Sequence, residues 1–188
     1  MGLVGEMSMR PAPLMLIVTL LIFGGDLRAE QPSHPLSPAL GAAPTADERA
    51  RHDNAIFPDG TGLPRGTGTV ARGQALYNAQ CVSCHGPRGR GGSGGELAGG
   101  NPDLTATQPD KNIGTYWPYA PPLFDFIRRS MPPRAPWSLS NADVYSLVAY
   151  LLNLNGLFAA NGRLDAASLA GVKMPNRDGF IGIDARIN

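Results

Sequence analysis

From Ser140 to Gly156 the apolar residues Val144, Leu147, Val148, Leu151 and Leu152 recur in the i, i+3, i+4, i+7, i+8 series of a helix with one buried face. Ser140 stands at the N-cap, Asp143 completes a capping pattern, and Asn155-Gly156 supplies the stop. A helix is also predicted over Val70 to Gln80, with Gly73, Leu76 and Tyr77 at one-face spacing. A shorter one is predicted from about Pro122 to Arg129. It has proline in its first turn, Leu123, Phe126 and Ile127 on one side, and Met131-Pro132-Pro133 to end it. No credible strand pair or internal repeat is visible. The pattern is that of an all-α domain.

Outside the periodic region the chain changes character. Arg10 precedes an apolar run from Leu14 to Phe23, and Leu27-Arg28-Ala29 offers a small residue for cleavage, so residues 1–29 read as a signal peptide. The run falls short of the roughly 20 apolar residues of a spanning helix, so a membrane anchor is not expected. Residues 30–64, rich in Pro, Ala and Gly, read as a flexible linker or arm. The domain is expected over 65–160. Residues 161–188 read as a C-terminal tail, with few apolar positions and no helix pattern from Lys173 on, and as a possible partner-docking arm.

A formal net charge of +1, with 16% charged residues, provides no field for nucleic acid or an anionic membrane surface. A protein partner or a small redox substrate fits better.

Both cysteines of the chain lie in Cys81-Val82-Ser83-Cys84-His85. Two thiols at this spacing can each add to a haem vinyl group, and the histidine that follows is placed to bind the iron. One covalently attached haem c is therefore expected, held by Cys81, Cys84 and His85. A thioredoxin-like dithiol would need a strand-and-helix context that this chain lacks. A zinc site would have to recruit His34 and His52 from the linker. In an oxidising compartment two free cysteines would pair, and haem attachment consumes them first.

The second axial position is narrowed by elimination. Of six methionines, Met1, Met7, Met9 and Met15 belong to the signal segment, leaving Met131 and Met174. Met131, in a proline-bracketed loop just before the last predicted helix, is preferred over Met174, over histidine and over an open site. Gly89, Gly91 and Gly94 spell G-x-G-x-x-G, but they follow the haem-binding histidine instead of a strand, so a loop is expected. Arg88 and Arg90 read either as solvated loop charges or as partners of a haem propionate. Tyr116, Trp117 and Tyr119 read as core aromatics or as propionate donors. Arg128 and Arg129 read as a solvated helix face in preference to a docking patch.

Gly73-x-x-x-Tyr77 ahead of the cysteine motif, and Met131-Pro132 ahead of a helix carrying Tyr150, resemble a class I cytochrome c. That resemblance implies an all-α fold whose first and last helices cross, with Gly73 permitting close approach and Tyr77 near Tyr150. Further segments, Ile113-Gly114-Thr115-Tyr116-Trp117-Pro118-Tyr119-Ala120, Tyr150-Leu151-Leu152-Asn153-Leu154-Asn155-Gly156 and Val172-Lys173-Met174-Pro175-Asn176-Arg177-Asp178-Gly179-Phe180, are similar to the cytochrome subunit of bacterial sulfane or sulfite dehydrogenase. This likeness implies a periplasmic electron relay with no catalytic site of its own. Its partners would be a molybdenum-cofactor dehydrogenase subunit and a downstream carrier. The alternatives are a freely diffusing carrier, a haem subunit of another dehydrogenase or oxidase, and a haem enzyme with an open axial site.

Overall fold

The computed structural model describes residues 41–182. The expected signal peptide over 1–29, the first part of the expected linker and residues 183–188 lie outside the described residues.

In chain order the elements are α1 (Ala46–His52), β1 (Thr67–Thr69), α2 (Val70–Gln80), α3 (Val82–His85), a 3-10 turn (Pro87–Gly89), α4 (Pro121–Ser130), α5 (Asn141–Leu154), β2 (Arg163–Asp165) and α6 (Ala166–Ala170). α5 is the axis of the fold, buried continuously from Val144 to Leu152. Its start is capped as its sequence predicts: the Ser140 hydroxyl accepts from the Asp143 N–H at 3.2 Å. α4 begins on paired prolines, where the missing N–H groups cost nothing. It lays Leu123, Phe124 and Ile127 into the core.

α2 crosses α5 at unusually short range. A Cβ added to Gly73 would lie 1.8 Å from the Ser146 carbonyl oxygen and 2.8 Å from Tyr150 Cβ, so only glycine permits this approach. One turn further along, the Tyr77 and Tyr150 rings meet at 5.3 Å. Ser146 is completely buried at this seam. Its hydroxyl donates to the Ala142 carbonyl at 2.7 Å and accepts from the Thr69 N–H at 3.3 Å. Neither polar group is therefore left unsatisfied.

Two expectations need correction. A short antiparallel pair exists, with Thr67 opposite Asp165, Gly68 opposite Leu164 and Thr69 opposite Arg163. Three-residue strands are too short to show an alternation, so the sequence pattern missed them. The packed region also runs past the expected 65–160 limits at both ends. Upstream, Ile56 joins the core and the Pro64 carbonyl accepts from the Tyr145 hydroxyl at 2.8 Å. Downstream, Leu164, Leu169 and Met174 are almost completely buried, so much of the expected tail is core.

Candidate haem site

α2 ends on Cys81, whose N–H still donates to the Tyr77 carbonyl at 2.9 Å, and the single turn of α3 then carries Cys84 and His85. The three side chains are thus delivered by consecutive helical turns to one face. They border a cavity of about 390 Å³, walled on other sides by Leu97, Trp117, Leu123, Met131 and Leu151. This lies within the range of cofactor pockets.

The residues present fit a covalently attached haem. His85 Nδ1 sits 2.9 Å from the Gly95 carbonyl, which makes it the donor there and, in the neutral ring, leaves Nε2 free to bind a metal. The loop that supplies Gly95 is itself pinned, since the Gly94 N–H donates to the Cys84 carbonyl at 2.7 Å. Gly92 lies so close to that carbonyl that a Cβ would approach it to 2.0 Å. Cys81 and Cys84 are not joined in a disulfide, so both sulfurs are available to the haem vinyl groups. Burial, and secondarily the neighbouring Cys84, push the Cys81 thiol above its ordinary pKa. That is the reverse of the lowered value that activates a redox dithiol. No group of three or more His, Cys, Asp or Glu side chains suited to a metal ion occurs among the described residues. An activated dithiol thus gains nothing from the geometry, while His34, one of the two histidines a zinc site would recruit, lies outside the described residues.

Residues 70–155 match the cytochrome c family. A chain in the crystal structure of the sulfane dehydrogenase SoxCD from Paracoccus pantotrophus is similar at 39% identity and a TM-score of 0.72, over 80% of this chain and 74% of that one. This chain belongs to the cytochrome c family. No curated protein sequence matches it. The cytochrome carries covalent haem c, which supplies reversible one-electron oxidation and reduction, and its role is electron transfer.

The two methionine candidates separate by position. Met131 caps the C-terminus of α4 with its side chain on the cavity wall. Met174 is 1% exposed within the hydrophobic core and is not part of that wall. Met131 takes an extended backbone, φ −124° and ψ 140°, and its N–H donates to the Ile127 carbonyl at 3.0 Å.

Trp117 lines the cavity edge-on to Phe126, whereas Tyr116 and Tyr119 are not part of its wall and lie beneath Lys111 and Arg177 respectively. Arg88 and Arg90 are both exposed, and neither lines the cavity. The expected solvated face of α4 is corrected. Arg128 is buried, donating to the Asn54 carbonyl at 2.7 Å and to Asp125 at 3.0 Å.

Two side chains that shape the site had escaped notice. Buried Asn112 donates to the Gly99 carbonyl at 2.6 Å and accepts from the Gly114 N–H at 2.9 Å, which fixes the loop bearing Ile113. Asn155 donates to the Leu97 carbonyl at 3.1 Å and the Leu151 carbonyl at 2.8 Å, tying the end of α5 to the loop beyond His85. Asn155 was legible only as a helix stop, and the carbonyl that it reaches is far away in sequence.

Proposed function

We propose that this cytochrome works in the periplasm, relaying single electrons from a molybdenum-containing sulfite or sulfane dehydrogenase subunit to a downstream carrier, with His85 and Met131 as its axial ligands. The observation that carries the reading is the reach of the likeness to the sulfane dehydrogenase chain. It covers 80% of the sequence, well beyond the 70–155 stretch that matches the general cytochrome c family. The signal-like N-terminus supports export, and no helix among the described residues is long and apolar enough to cross a membrane.

The single Cys-x-x-Cys-His motif sets a stoichiometric constraint. Oxidation of sulfite releases two electrons, whereas one haem accepts one. The relay therefore cycles twice for each sulfite, and the bond-making chemistry belongs to the partner. Histidine with methionine raises the potential relative to two histidines, which suits an acceptor of electrons from sulfur.

Purification of the native protein followed by iron and molybdenum analysis tests the partnership. Co-elution of both metals with a second polypeptide supports it, and iron alone in a monomer favours the freely diffusing carrier. For the ligand, the long-wavelength band of sulfur-ligated ferric haem should vanish in Met131→Ala. Its persistence there, with loss in Met174→Ala, refutes the assignment. Rapid carbon monoxide binding by the reduced wild-type protein would favour an open axial site.

A further inference from the structure

The loop from Met131 to Leu139 forms one wall of the haem cavity through Met131, Pro132, Pro133 and Leu139. At its far end sits a residue whose conformation neither backbone ease nor burial explains. Trp137 has φ +64°, a left-handed conformation that is a genuine outlier for a bulky side chain, and it remains 48% exposed. Its N–H donates to the Arg128 carbonyl at 3.0 Å, and its ring lies 4.9 Å from the Arg128 guanidinium and 5.2 Å from that of Arg129. The unusual backbone places one indole over two cations.

Those cations are themselves fixed. The Arg129 guanidinium donates to Asp125 at 2.7 Å, to the Asn54 carbonyl at 2.6 Å and to the Asn54 side chain at 3.0 Å. Arg128 shares the Asn54 carbonyl and Asp125, and stacks on Phe124 at 5.6 Å. Its Nε is buried with no hydrogen-bond partner. A guanidinium shielded from water in this way is held by ring faces more strongly than an exposed one. One carboxylate and one backbone carbonyl thus anchor two guanidinium groups, which anchor the indole, which closes the Met131 loop.

We infer that Trp137 is a positioning residue for Met131: its stack on Arg128 and Arg129 holds the loop closed and keeps the thioether at the haem cavity. The inference rests on the reading of Met131 as an axial ligand. For Met131 to withdraw, the segment between its Ile127 contact and the Trp137 contact must swing out, and the stack opposes that motion. Strain retained at such a point is the expected mark of a residue kept for position.

Full-length holoprotein variants test it. Glycine accepts the left-handed conformation without penalty, so Trp137→Gly removes the ring while relieving the backbone. Trp137→Phe keeps a ring. Carbon monoxide binding to the reduced protein reads how often Met131 vacates its position. Two lost cation–π contacts should speed binding about 5- to 30-fold in Trp137→Gly, with Trp137→Phe near the wild-type rate. A wild-type rate in Trp137→Gly, whatever its melting temperature, overturns the inference. Met131→Ala separates the two readings. Loss of the sulfur band there upholds the ligand independently of Trp137, whereas retention of the band overturns both.

Discussion

Replacing Gly73 with alanine sets two effects of opposite sign against each other in the middle of α2. Helix propensity alone favours alanine over glycine by about 1 kcal/mol. The added methyl, however, would sit 1.8 Å from the Ser146 carbonyl oxygen and 2.5 Å from its carbon, and both belong to the backbone of the buried helix α5. Neither can rotate away, so the helices must part by more than an ångström before the contact reaches the 3.0 Å limit of real Cβ neighbours. Overpacking of this kind costs about 1–3 kcal/mol, and a backbone obstacle places it at or above the upper end. The net expectation is destabilisation by about 2 kcal/mol, a fall of about 1 M in the urea midpoint at a typical slope near 2 kcal/mol per M. Gly171→Ala is the matched control. The same methyl there meets only carbonyl oxygens at 3.6 Å, and the backbone is already helical, so that variant should be unchanged or up to about 1 kcal/mol more stable. Urea unfolding followed by circular dichroism decides the matter. A Gly73→Ala midpoint equal to or above wild type would refute the close helix crossing.

The remaining expectations bear on other parts of the structure. Leu164→Ala, at a fully buried site beyond the expected domain limit, should cost about 2–5 kcal/mol in the same urea assay, whereas a free tail would show no change. Burial, with Asp165 reinforcing it, raises the Tyr145 hydroxyl from its ordinary 10 to about 12. The folded state then binds more protons than the unfolded one between those values, so stability should fall as pH rises from 10 to 12, and Tyr145→Phe should flatten that slope. Replacing both Cys81 and Cys84 with serine should leave a protein with little helical far-UV signal, because the porphyrin completes the apolar core. An undisturbed helical spectrum would contradict that dependence. Truncation after Gly171 removes buried Met174 together with the Asn176 bond to the Tyr116 carbonyl at 2.7 Å. The shortened protein should therefore show an altered haem spectrum as well as any loss of partner affinity.

The three main helices were legible because their signals are local. Ser140 and the proline at 122 mark starts within a residue or so of the observed ones, and spacing of 3.6 residues does the rest. Cys81, Cys84 and His85 were legible because the chemistry itself dictates their spacing. What could not be read depends on distant partners. Nothing beside Arg128 announces that Asn54 will receive its guanidinium or that Trp137 will cover it, so two adjacent arginines resembled an ordinary wet face. Leu164, Leu169 and Met174 looked like isolated apolar residues in a polar tail. They are buried because β2 pairs with β1 and turns α6 onto the core.

The two segments expected to be free turn out to hold opposite sides of the haem cavity. Upstream, Asn54 anchors the arginines beneath Trp137 and so reaches the loop that carries Met131. Downstream, Asn176 and Phe180 bind Tyr116, and Arg177 lies 4.3 Å from the Tyr119 ring, which secures the loop that carries Trp117. Between these loops Cys84 and Phe126 also border the cavity. The walls that hold the haem are thus set by both ends of the described chain. Walls fixed in advance leave little to order when a redox partner binds, which lowers the cost of association.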